Sequence, residues 1–196
     1  MLKRRFALTC LLVFSALSVV ACGNSGNSDE SQIEEAIEAS ATSTDPADCT
    51  KLETQRFMEQ TTQSEGAEAV ARCEKQATEE KGSEAATASN IEVEGSKATA
   101  DAAISGGSFD GQTVEVALVK EGNQWKLDEL TGFAKFDTAK LIEAFEKTFA
   151  DPSNRVSKSL ASCLLESLEA DSEEEFEGLM LSGSAKGFEE IAEACQ

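Results

Sequence analysis

The sequence predicts an α+β protein in which N-terminal helices pack on a curved antiparallel sheet of about four strands, followed by a helical C-terminal tail. Three observations predict it. Apolar residues recur at helical spacing over 29–76, alternate with polar ones from Ala88 to Asp128, and return to helical spacing beyond Asp137. Helices and strands segregated along a chain make α+β rather than the parallel sheet of repeating βα units.

The chain opens with a basic stretch, Lys3, Arg4 and Arg5, and an apolar run over 6–20. That run has signal-peptide length and falls short of the ~20 residues needed to span a bilayer as a helix. It ends in Val19-Val20-Ala21-Cys22, which resembles a bacterial lipobox. The resemblance implies that Cys22 carries a diacylglyceryl group and becomes the acylated N-terminus after cleavage. Gly23-Asn24-Ser25-Gly26-Asn27-Ser28 then reads as a flexible tether. The expected organisation is a signal peptide over 1–21, a tether over 22–31, an α+β domain over 32–150 and a helical C-terminal segment over 151–196. The expected location is the extracytoplasmic face of a bacterial cell membrane, held there by the N-terminal lipid anchor.

Cleavage leaves 14 basic against 37 acidic side chains, a net charge of −23. Such a body repels anionic headgroups and phosphate backbones alike, so the anchor holds the protein at the membrane and nucleic acid is excluded as a partner. The chain has no His and no Tyr. Ser-His-Asp and Cys-His catalysis, His-ligated metal and a phenolic acid are therefore all absent from its repertoire. No catalytic residue, metal site or cofactor is expected, and the protein is read as a non-enzyme. Gly106-Gly107 lacks the Lys-Ser/Thr of a phosphate loop. The acidic run Asp171-Ser172-Glu173-Glu174-Glu175 lacks the alternating ligands and Gly of a calcium loop, and reads as a helix N-terminus favoured by the macrodipole.

Residues 29–42 read as a short amphipathic helix carrying Ile33 and Ile37, with acids in its first turn. Asp45-Pro46 starts a second helix through Leu52, Phe57 and Met58, broken at Thr61-Thr62-Gln63-Ser64. A third follows over about 65–76. Beyond the signal and Cys22, four cysteines remain: Cys49, Cys73, Cys163 and Cys195. An even count in an exported chain predicts two disulfides with three possible pairings. A hairpin of the second and third helices turning near Gln63 sets Cys49 and Cys73 at similar heights, which favours that pair. Cys163 and Cys195 both sit on apolar stripes of the tail, and a pairing between them would close it.

Ile91 and Val93 form a first strand, and Ala98, Ala100, Ala102 and Ile104 a second. A third carries Val114, Val116 and Leu118, and a fourth Trp125 and Leu127. One apolar and one polar face is the pattern of a meander covered on one side. Asp137-Thr138 starts a helix through Leu141, Ile142, Phe145 and Phe149, and Asp151-Pro152-Ser153-Asn154 marks a boundary. Three helical pieces follow; Ser172 with Glu175 makes a capping box for the second, and Ser184 opens the last.

Helices followed by a sheet ending in Thr113-Val114-Glu115-Val116-Ala117-Leu118-Val119-Lys120-Glu121-Gly122-Asn123-Gln124-Trp125-Lys126-Leu127-Asp128 resemble the nuclear-transport-factor-two-like (cystatin-like) domains of many bacterial lipoproteins. The resemblance covers about 29–132, leaving the tail from Phe133 outside it. It implies a cone with helices in the concave face of the sheet and a pocket between them. The candidate pocket residues are Val114, Val116, Leu118, Trp125 and Leu127, with Asp101, Asp128 or Glu129 as its polar lining. The Tyr and His that enzymes of that superfamily use have no counterpart in this chain. The expected role is a cell-surface binding or interaction module for an envelope protein. The alternative is a carrier of a small hydrophobic ligand or lipid.

Overall fold

A computed structural model describes residues 28–79, 82–150, 156–182 and 185–195. The expected signal peptide, Cys22, the boundary at 151–154 and Ser184 lie outside the described residues. The chain is α+β: helices, then an antiparallel four-stranded sheet, then further helices.

Helix α1 (Asp29–Thr42) begins at Ser28, whose hydroxyl accepts the Ser31 N–H, with Asp29 and Glu30 in the favourable first turn. Its buried positions Ile33, Ala36 and Ile37 fall on one stripe. That stripe packs on β1 (Ala85–Glu94) and β4 (Gln124–Lys135). Complete burial of each Ile contributes roughly 1.5–3 kcal/mol.

The second expected helix is in fact two. Glu53 and Thr54 separate α2 (Ala47–Leu52) from α3 (Gln55–Thr62), and Glu53 is extended at φ −126°, ψ 146°. Thr54 causes the break. Its hydroxyl accepts the Phe57 N–H at 3.3 Å as a helix cap and donates to Asp128 Oδ1 at 2.9 Å. Its own N–H donates to the Leu127 carbonyl at 2.8 Å, so the interruption is stitched to β4. Gln63, left-handed at φ 53°, turns the chain into α4 (Ala67–Glu79). A disulfide joins Cys49 to Cys73 across this hairpin, with Cα atoms 6.1 Å apart.

The sheet runs β1, β2 (Lys97–Ser105), β3 (Thr113–Glu121), β4, all antiparallel neighbours. Ala98, Ala100 and Ala102 pair with Leu118, Val116 and Val114, placing small and branched apolar side chains together on the covered face. The fourth strand is longer than its alternation suggests. Against β3, Leu118 pairs with Leu127, Val116 with Leu130 and Val114 with Phe133. Apolar positions three apart mean that one extra residue enters at each step, and each such bulge bends the strand over the helices. Gly132 pairs with Glu115 at the second of these steps.

Both sheet edges are managed. On β1 the register slips between Ser89 and Glu92, where Asn90 takes φ 51°, and Glu92 and Glu94 are exposed. On β4 the Gln60 amide accepts the Leu130 N–H at 2.8 Å and donates to the Leu130 and Leu181 carbonyls at 2.9 and 3.0 Å. Gln112 makes a second clamp. It is 1% exposed and holds both the N–H and the carbonyl of Asp137, at 2.7 and 3.0 Å, where the chain leaves the sheet.

Helices α5 (Thr138–Ala150), α6 (Lys158–Ala170), α7 (Glu173–Leu181) and α8 (Ala185–Ala194) build a second core around Leu141, Ile142, Leu168 and Phe176. The fully buried Phe176 ring meets Phe136 edge-on at 5.5 Å and stacks on Phe145 at 6.3 Å. This core therefore draws on residues both before and after 150. The Ser172–Glu175 capping box is present, and a second disulfide joins Cys163 to Cys195. No helix among the described residues is long and apolar enough to cross a membrane.

Candidate ligand cavity

A cavity of about 300 Å³ lies between the helices and the covered face of the sheet. Ala102, Ile104, Val114, Val116, Leu127 and Leu130 line it from the sheet. Ile37, Ser40 and Ala41 of α1 face them, with Phe57 of α3, the Cys49–Cys73 disulfide and Ala77 of α4. Phe109, in the short 3₁₀ turn Gly107–Phe109, closes one side. The space follows from side-chain size, since β2 offers alanines at its centre where β3 offers valines and leucine.

One half-buried carboxyl with a raised titration enters this space. The break between α2 and α3 leaves Glu53 extended, one helical turn beyond Cys49, so it shares the cavity with the disulfide. Ser40 donates to Glu53 Oε1 at 2.8 Å. Cys73 Sγ lies 3.6 Å from Oε2, but a disulfide sulfur carries no hydrogen to donate. Burial pushes the Glu53 carboxyl up to about 7, outweighing the Ser40 hydrogen bond, which acts the other way. Two further carboxylates line the cavity, and both are already engaged. Asp45 accepts the Ala47 N–H at 2.9 Å. Asp48 accepts from Ser43 at 2.7 Å and Lys51 at 3.1 Å, and these hold its carboxyl below the usual range.

The raised Glu53 value has a thermodynamic consequence. Between about pH 4.5 and 7 the folded chain keeps a proton on Glu53 that the unfolded chain has lost. The associated stability is therefore full below the unfolded value and is lost as pH rises through 7. Moving a carboxyl from 4.5 to about 7 corresponds to on the order of 3 kcal/mol. The wild type's stability to denaturant is expected to fall, relative to Glu53→Gln, as pH rises across this window. Parallel stability curves for the two would contradict the burial of this group.

Of the five residues read as pocket candidates, Val114, Val116 and Leu127 line the cavity. Leu118 and Trp125 do not; each is 1% exposed and packed into the main core. Trp125 lies at the hairpin end of β4, where its indole N–H donates to Asp29 Oδ1 at 3.1 Å. None of the expected polar lining is there either. Asp101 alternates outward between Ala100 and Ala102 and accepts from Asn90. Asp128 sits at the first bulge of β4, bound to Thr54, and pairs with Arg56 along with Glu129. Glu53 takes their place. Its signal in the sequence was Thr54, a capping residue in the middle of an apparent helix.

A second, polar cleft of about 240 Å³ lies beside α5. Its lysines, Lys140 and Lys147, are paired with Asp110 and Glu143 at 3.8 and 2.8 Å. Among the described residues no cluster of three His, Cys, Asp or Glu side chains could hold a metal ion. No family model, curated protein or solved structure matches the chain.

Proposed function

We propose that this is an exported, lipid-anchored binding protein that takes a small, largely apolar ligand into the cavity between its helices and sheet. The observation that carries the reading is an open-mouthed space of about 300 Å³ between the helices and the covered face of the sheet. Close-packed interiors leave few voids larger than a water molecule, and ligand sites begin near this size. The surface supports the same preference. Among the described residues Val93 is the one large apolar side chain counted as exposed, at 38%, so no apolar patch favours a protein-docking face. Two disulfides fit a compartment outside the cytoplasm, and helices over a curved meander fit the nuclear-transport-factor-two-like architecture. Membrane attachment rests on the Cys22 lipobox, and catalysis has no residue assigned to it.

The test uses the mature chain kept soluble by Cys22→Ser, a change outside the described residues. The uncharged fluorescent probe N-phenyl-1-naphthylamine is expected to bind saturably, at one probe per chain. In Ala102→Phe the new ring occupies the cavity, and binding is expected to fall by at least about tenfold. Ala77→Phe, on the opposite wall, serves the same purpose should the first variant fail to fold. Probe binding that both folded variants retain would contradict the reading.

A further inference from the structure

We propose that the ligand of this cavity is a small organic cation, an amine with an apolar body, held by its ammonium group on Glu53. The inference deepens the binding reading above and rests on it. Glu53 Oε1 already accepts from Ser40, while Oε2 faces only a disulfide sulfur and has no hydrogen-bond donor among the described residues. Once Glu53 is ionised, a ligand that satisfies Oε2 must therefore bring a donor. A ligand that also offsets the cost of an ionised carboxylate in apolar surroundings must bring positive charge.

The neighbouring groups agree on the sign. Facing Glu53 are Ser40 from α1, the disulfide from α4, and Leu127 from β4, none of them charged. Nearer the helix ends Asp45 and Asp48 add negative charge, with Lys51 engaged by Asp48 at 3.1 Å and exposed to solvent. No Lys or Arg among the described residues lines the cavity. The whole chain carries a net charge of −20, so cations are attracted to it and anionic ligands repelled. The sheet side of the lining, with Ile104, Val114, Val116, Leu127 and Leu130, is aliphatic and suits a hydrocarbon body behind the ammonium.

The experiment is displacement of bound N-phenyl-1-naphthylamine from the soluble mature chain near neutral pH by octylamine, 1-octanol and octanoate. Octylamine is expected to compete at least about tenfold better than octanol, as for a charge-assisted hydrogen bond, with octanoate the weakest. Glu53→Gln is expected to bring the amine-to-alcohol ratio to within about twofold. In the wild type, octylamine is also expected to move the Glu53 carboxyl ¹³C shift to its ionised value below pH 7, a readout that needs no variant. Equal competition by amine and alcohol, with Glu53 still protonated in the complex, would overturn the cation assignment while leaving the apolar cavity intact. Absence of probe binding to the wild type would overturn both.

Discussion

Replacing Trp125 with Ala is expected to destabilise the protein by about 3–5 kcal/mol, the range for truncating a large buried aromatic. Trp125 is the single tryptophan of the chain and is 1% exposed. It does two things at once. Its ring fills the sheet end of the main core beside Leu118, and its N–H binds Asp29, the first residue of α1. Lys120 pairs with the same carboxylate and lies 5.4 Å from the indole centroid, so three side chains fasten the start of α1 to the β3–β4 hairpin. The hydrogen bonds from Lys120 and Trp125 hold the Asp29 carboxyl below its usual value. Trp125→Phe keeps an aromatic ring and loses the donor, so its cost is expected to be smaller, about 1–2 kcal/mol. Denaturant unfolding followed by far-ultraviolet circular dichroism separates the two variants. A loss below about 1 kcal/mol for Trp125→Ala would contradict the packing described.

Removing the first disulfide by Cys49→Ala with Cys73→Ala is expected to cost about 3.5 kcal/mol, the chain-entropy value for closing a loop of this length. The two cysteines are 24 residues apart, and Cys49 is 4% exposed. The bond also binds α2 to α4 and forms the cavity wall beside Glu53. Probe binding should therefore weaken along with stability, even at temperatures where the variant remains folded. By contrast, Cys163 and Cys195 close the second core, which does not line the cavity. Their removal should lower stability and leave probe affinity within about twofold of the wild type. Equal loss of probe binding in both double variants would contradict the separation of cavity from tail.

Much of this arrangement was legible in the sequence, for identifiable reasons. Strict alternation from Ala98 to Ile104 and from Val114 to Leu118 places the covered face, because a period of two leaves no freedom of facing. Even cysteine number and the height of Cys49 against Cys73 point to the pairing seen. The Ser172–Glu175 cap is a purely local signal. The remainder depended on tertiary contacts. Alternation fails after Leu127 because the bulges shift Leu130 and Phe133 inward, so the extension of β4 to Lys135 was hidden. The same bulged strand captures Thr54, and that capture splits one apparent helix into α2 and α3. Glu53 enters the cavity only because of the split. A residue that reads as the polar side of a helix thus becomes the carboxyl that enters the cavity, while the strand acids chosen by alternation lie outside it.

The most direct test of the cavity as a ligand site is a methyl-resolved NMR titration of the soluble mature chain with N-phenyl-1-naphthylamine. Methyl signals of Ile37, Ile104, Val114, Val116, Leu127 and Leu130, which line the cavity, should shift together and saturate at one probe per chain. Those of Leu118, Leu141 and Leu168, buried elsewhere, should stay in place. Shifts confined to exposed Val93 or to the C-terminal core, with the lining methyls unmoved, would contradict the account.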